Sequence, residues 1–129
     1  MLVFLVRHAH SDPGDPDSER PLSARGRVEA AALAELLGAH STPPRLVLSS
    51  PLLRARQTAE QIAKATGAEV RVDERLLPGA TSSLLREAVE EAAGPVAAVG
   101  HQPDCSEISV ELTGSDPGFP PGGFTEIEL

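Results

Sequence analysis

Short apolar runs alternate with segments of helical spacing along this chain, and few folds accept that pattern. Residues 2–6 (LVFLV) are continuously apolar, as in a strand buried on both faces, and 46–49 (LVLS) and 96–99 (VAAV) read the same way. Residues 69–72 (EVRV) and 124–129 (FTEIEL) alternate, as half-buried or edge strands do. Helical segments lie between them. Ser23 caps the first, which ends at Gly38 with Val28, Ala32, Leu33, Leu36 and Leu37 expected on its apolar face. Ser50-Pro51 opens the second, with Pro51 at the first helical position, Leu52, Ala55, Ala59, Ile62 and Ala63 inward, and Gly67 as the stop. Ser82 or Ser83 starts the third, with Leu85, Val89 and Ala92 inward and Gly94-Pro95 as its end. Pro103 opens the fourth, which buries Cys105, Ile108 and Leu112 and stops at Gly114. Residues 11–21 and 114–123 read as irregular loops. The alternation predicts an α/β fold with a mainly parallel central sheet, in one domain over residues 1–129.

A parallel sheet places ligands beyond the carboxyl ends of its strands. Arg7-His8 follows the first strand, Ser49 to Arg54 the second, Glu74 the third and Gly100-His101 the fourth. The pattern therefore brings two histidines and two arginines toward one crevice. Arginine suits phosphate because its charged planar fork offers several donors. Arg54 falls in the first turn of its helix, where the macrodipole disfavours a cation and a bound anion would resolve the conflict; the competing reading is a solvated arginine beside Arg56. A neutral imidazole at His8 is a competent nucleophile toward phosphorus, and the adjacent Arg7 favours the neutral form. His10 is expected on the rim and His40 in solvent. His8, His10, His101 and Cys105 form no closed zinc spacing, and the neighbouring arginines repel a cation, so no metal is expected. Glu87, Glu90 and Glu91 read as a solvated helix face. Asp12, Asp15, Asp17 and Glu19 read as a plain polar loop, with screening of the site's mouth as the alternative.

Composition removes several function classes. With three Phe and neither Trp nor Tyr there is no aromatic platform for stacking bases, and a formal net charge of -8 opposes general binding to nucleic acid or anionic membrane. Cys105 is the single cysteine, so no internal disulfide forms. The start MLVFLVRH lacks the features of a signal peptide, and no apolar stretch approaches the ~20 residues of a spanning helix. A soluble, cytoplasmic monomer is expected.

Four motifs now stand in order: RHA at 7–9, RPLSARG at 20–26, SPLLRARQT at 50–58 and GHQP at 100–103. Their order resembles the histidine phosphatase superfamily, which includes the phosphoglycerate mutases, and within it the SixA-type phosphohistidine phosphatases. The resemblance runs to about residue 114. It implies a three-layer α/β/α sandwich and a metal-free, cofactor-free phosphoenzyme mechanism. By the matching motifs His8 is the nucleophile, Arg7 and Arg54 bind phosphate, and His101 binds the phosphoryl group and stabilises the transition state. Larger relatives carry an acidic proton donor after the third strand; Asp73 and Glu74 are the nearest acids here, and Glu74 is the candidate. A chain this short has little material for a lid, which favours phosphohistidine presented on a protein partner over a mutase reaction. A small phosphomonoester substrate is the alternative reaction, and a phospho-ligand-binding module without catalysis the alternative of another class.

Overall fold

The computed structural model describes residues 1–129 and contains five strands and four helices. In chain order these are β1 (Leu2–Arg7), α1 (Ala24–Gly38), β2 (Leu46–Ser49), α2 (Leu53–Thr66), β3 (Glu69–Val72), α3 (Ser82–Glu90), β4 (Val96–Gly100), α4 (Asp104–Thr113) and β5 (Phe124–Glu128). They form one sheet in the order β3-β2-β4-β1-β5. β1, β2, β3 and β4 pair in parallel, and β5 runs antiparallel along β1. The α/β/α expectation is met, and the two alternating segments, β3 and β5, are the sheet's edges.

The pleat explains the layers, because successive side chains on a strand point to opposite faces. Phe4, Val6, Val47, Ala97 and Val99 face Leu33 and Leu37 of α1 and Ala55, Ala59 and Ile62 of α2. Val3, Leu5, Leu46, Leu48, Val96 and Ala98 face Leu85, Ala88 and Val89 of α3 and Cys105 and Ile108 of α4. β1, β2 and β4 are thus covered on both faces, as their uninterrupted apolar sequence requires. No helix is long and apolar enough to cross a membrane.

Helix boundaries and faces depart from expectation where packing overrides local pattern. On α1 the buried stripe is Gly26, Ala30, Leu33, Ala34 and Leu37, whereas Val28 and Leu36 are 71% and 63% exposed. The small residues decide this rotation: a Cβ at Gly26 would lie 1.9 Å from the His10 carbonyl oxygen, so α1 turns its narrowest edge toward the segment after β1. In α2 the cap is Leu52, and Pro51 stands before the helix instead of at its first position. α3 starts from Thr81, whose hydroxyl accepts from the Leu84 N–H, and ends at Glu90, four residues before Gly94. α2 and α4 end at Gly67 and Gly114, both in the left-handed conformation that glycine adopts most readily.

His40 also departs from its expected solvated state. Its ring packs edge-on against Phe4, centroids 4.9 Å apart, and its Nε2 lies 2.8 Å from Glu126. The 11–21 loop is partly regular. Ser11 bridges Leu22, and a 3-10 turn spans Asp17–Glu19.

Candidate active site

The strand order places the carboxyl ends of β1 and β4 side by side, with β2 next to β4. Arg7 pairs with Gly100, and the His8 N–H donates to the Gly100 carbonyl at 3.1 Å. His8 and His101 therefore leave adjacent strands in register, and their ring centroids stand 5.1 Å apart. Arg54 reaches the same place from the first turn of α2. A cleft of about 390 Å³ is lined by Arg7, His8, His10, Ser11, Arg20, Arg54, Pro78, His101, Gln102 and Pro121.

Several of these side chains are fixed from behind. The His8 Nδ1 lies 2.7 Å from the Ala9 carbonyl oxygen. A carbonyl only accepts, so Nδ1 carries the proton, and in the neutral ring the lone pair is on Nε2. The Ala9 N–H donates to the Thr58 hydroxyl at 3.1 Å, and that hydroxyl donates to the Arg54 carbonyl at 2.8 Å. Thr58 thus ties the turn that orients His8 to the helix that carries Arg54. Arg7 is held by the 114–123 loop: its NH1 donates to the Phe119 carbonyl at 2.9 Å, and the Gly122 N–H reaches back to the Arg7 and His8 carbonyls. Phe119, itself buried, anchors that loop in the core. Asp104 accepts from the Gly79 and Ala80 N–H groups and so fixes the turn bearing Pro78. The Gln102 side chain caps the first turn of α4 through Ser106.

The electrostatics favour neutral imidazoles beside fixed cations. Burial, aided by the charges of Arg54, Arg7 and Arg20, lowers the His8 pKa to about 4, against the opposing bond to Ala9. Burial, then His8 and Arg54, lowers that of His101 to about 3. Arg54 is not the solvated side chain of the alternative reading; it is 7% exposed. The buried polar atoms with no protein partner are the Arg7 Nε and the His101 Nδ1, and both belong to residues that line the cleft. Such atoms are costly when left unpaired, and the arginine donor calls for an acceptor. An oxyanion supplies one.

The other sequence candidates fall into place around this group. His10 stands on the rim as expected, its Nδ1 2.6 Å from the Ser23 hydroxyl. Glu74 does not join the cleft. It is exposed and lines a separate depression with Arg71, Asp73 and Arg75. The reason is topological: β3 is the edge strand, and β2 and β4 separate its carboxyl end from β1. Asp73 is engaged by Arg75, whose hydrogen bonds hold its carboxyl below the usual range, and Arg75 also pairs with Glu91 at 2.9 Å. Glu91 is therefore not merely solvated. Cys105 is buried with its Sγ 3.6 Å from the Val6 carbonyl, and burial pushes its thiol up to about 12, away from the thiolate that reacts. No group of three or more His, Cys, Asp or Glu side chains gathers to hold a metal.

The sequence marks no site contact for Thr58 or Arg20, places Ser50 only at a helix start, and gives Asp17 as part of a polar loop with screening of the site's mouth as the alternative. Ser50 and Thr58 lie inside SPLLRARQT, and Arg20 opens RPLSARG, so their motifs marked the segments without marking their contacts. In the structure Asp17 accepts from Arg20 at 3.0 Å and from Arg54 at 3.2 Å.

The sequence profile of the histidine phosphatase superfamily (branch 1) matches residues 3–104. Phosphohistidine phosphatase SixA of Escherichia coli is 31% identical over 132 residues, covering 97% of this chain and 80% of SixA. Glucosyl-3-phosphoglycerate phosphatase of Mycobacterium tuberculosis is 42% identical over 81 residues, covering 57% of this chain and 34% of that protein. The chain spans 59% of the length of a further curated relative, from Arabidopsis thaliana. Among solved structures, the protein histidine phosphatase SixA complexed with tungstate superposes with a TM-score of 0.81 at 26% identity, over 99% of this chain and 97% of that one.

Proposed function

The chain belongs to the histidine phosphatase superfamily, and from that premise we propose that it is a metal-independent phosphatase that passes the phosphoryl group through His8. The supporting observation is the pair of neutral imidazoles, 5.1 Å apart, standing beside Arg7 and Arg54 in one cleft. The phosphoryl group lies among Arg7, Arg54 and His101, whose donors offset the charge on its equatorial oxygens. The His8 Nε2 lone pair attacks phosphorus while the bond to the leaving group breaks on the opposite side. Water then attacks phospho-His8, phosphate departs and the imidazole is restored.

The preferred substrate is phosphohistidine on a partner protein. No Asp or Glu lines the cleft, so no carboxylic acid stands ready to protonate a leaving group. An imidazole leaves phosphorus readily once protonated and asks less of an enzymatic acid than an alkoxide does. The similarity to SixA supports the same reading. A small phosphomonoester is the second reading, supported by the similarity to the glucosyl-3-phosphoglycerate phosphatase.

Reaction with a labelled phosphodonor followed by rapid quenching tests the mechanism, under conditions that preserve phosphohistidine. Label is expected on wild-type enzyme at His8 and not on His8→Ala, whose turnover should fall by several orders of magnitude. Activity should persist in EDTA. Full turnover by His8→Ala would end the proposal. Binding of phosphate with no turnover of any donor would favour the module without catalysis.

A further inference from the structure

The mechanism above leaves one charged contact unused. Asp17, on the 3-10 turn of the 11–21 loop, meets two arginines that line the cleft. Its backbone carbonyl accepts from Arg54 NH1 at 3.0 Å and its Oδ2 from Arg54 NH2 at 3.2 Å. Its Oδ1 accepts from Arg20 NH1 at 3.0 Å. Arg20 is pinned further, by its Nε to the Asp12 carbonyl at 2.9 Å and by its NH2 to the Ser11 hydroxyl at 3.0 Å.

We propose that Asp17 is a positioning residue: its single carboxylate holds Arg54 and Arg20 as a pair, and so adds Arg20 to the groups that grip the substrate's phosphoryl oxygens. This rests on the phosphatase reading of the cleft. Exposed ion pairs are ordinarily worth little, because two long side chains must be immobilised in water. That argument fails here at one end, since the Arg54 side chain is only 8% exposed while that of Asp17 is 63% exposed. Asp17 grips Arg54 along the NH1–NH2 edge, through main chain and side chain together. The Nε edge has no protein acceptor and remains for an anion. Arg20, with its NH1 and NH2 each keeping a second N–H, lines the same cleft. Two guanidinium groups that share one carboxylate repel each other, and the carboxylate between them offsets the repulsion. Without it Arg20 keeps its bonds to Asp12 and Ser11 but loses the one contact that ties it to Arg54. The carboxylate is needed for its two equivalent acceptors; an amide has one oxygen, and its NH2 would face an arginine donor.

Steady-state kinetics with p-nitrophenyl phosphate and calorimetric titration with orthovanadate test this. Asp17→Ala and Asp17→Asn should raise KM and weaken orthovanadate binding about tenfold, the loss of roughly one charge-assisted hydrogen bond. The kcat should change by less than about threefold, since the same interaction serves ground state and transition state. Asp17→Glu, which keeps both oxygens, should recover part of the affinity, and Arg20→Ala should reproduce the split. Unchanged orthovanadate binding in Asp17→Ala overturns the clamp. Tighter binding also overturns it and makes Asp17 a competitor of the anion, and so does a fall in kcat with KM unchanged. In all three cases the phosphatase reading stands. A wild-type enzyme that neither binds orthovanadate nor turns over the substrate would remove both. Circular dichroism should show the variants folded, because the turn that carries Asp17 has no buried residue.

Discussion

The Nε2 of His101 lies 2.7 Å from the hydroxyl oxygen of Ser50, a buried contact between residues 51 positions apart in the chain. Both backbones are fixed at the sheet's edge: the Ser50 N–H donates to the Val99 carbonyl at 3.0 Å, and the His101 carbonyl accepts from Cys105 at 3.0 Å. One ring nitrogen of His101 is thereby committed to the protein. The other, Nδ1, is the buried atom without a protein partner.

Ser50→Ala removes the only hydrogen-bond partner of the His101 ring and leaves Nε2 unpaired in a buried site. The cost of such an orphan is about 1–3 kcal/mol, so we expect a lowered melting temperature and, because the imidazole can then turn, a fall in kcat/KM of at least about tenfold. Parallel thermal melts and kinetics check this. A variant with wild-type kcat/KM would show that the ring is held by packing alone.

The histidines give acid lability a definite sign. Both are lowered on folding, His8 to about 4 and His101 to about 3, from an ordinary value of 6.5. Between those values the unfolded chain binds more protons than the folded one, so stability rises with pH. Their neutral burial should weaken the fold progressively as pH falls from above 6.5 toward 4 and 3. Activity should follow the nucleophile and be lost as His8 is protonated near pH 4. Urea titrations between pH 3 and 8 should show this slope reduced in His8→Ala; an unchanged slope would assign the acid lability to other groups.

Glu74→Gln should turn over p-nitrophenyl phosphate at a rate within about twofold of wild type, as expected of a surface change away from a cleft. The Glu74 side chain is exposed and lines the depression shared with Arg75 and Asp73. A loss of kcat of a hundredfold, with a flattened basic limb in the pH profile, would return this residue to the role of proton donor.

Much of the site could be read from the chain because its main residues sit at element ends. The runs LVFLV and VAAV end just before Arg7-His8 and Gly100-His101, and a parallel sheet sends both ends to one edge. Arg54 was marked by a cation in a first helical turn. Glu74 followed the same strand-end logic and failed, because that logic names the edge of the sheet and not the position along it. Lateral position depends on strand order, and the order β3-β2-β4-β1-β5 puts β3 at the margin. The face of α1 failed for a similar reason. Val28 and Leu36 fit a helical stripe, but the close approach at Gly26 sets the rotation and turns them to solvent.

The sequence by itself determined the α/β class, the family and the convergence of His8, His101, Arg7 and Arg54 on one cleft, because periodicity and motif order are properties of neighbours along the chain. Only the tertiary structure decided that the Phe119 carbonyl holds Arg7, that Ser50 holds His101 and that Asp17 spans Arg20 and Arg54. Those contacts join groups distant in sequence, or depend on how a loop without periodicity comes to rest. Their energy is realised only once the folded chain has brought these groups together.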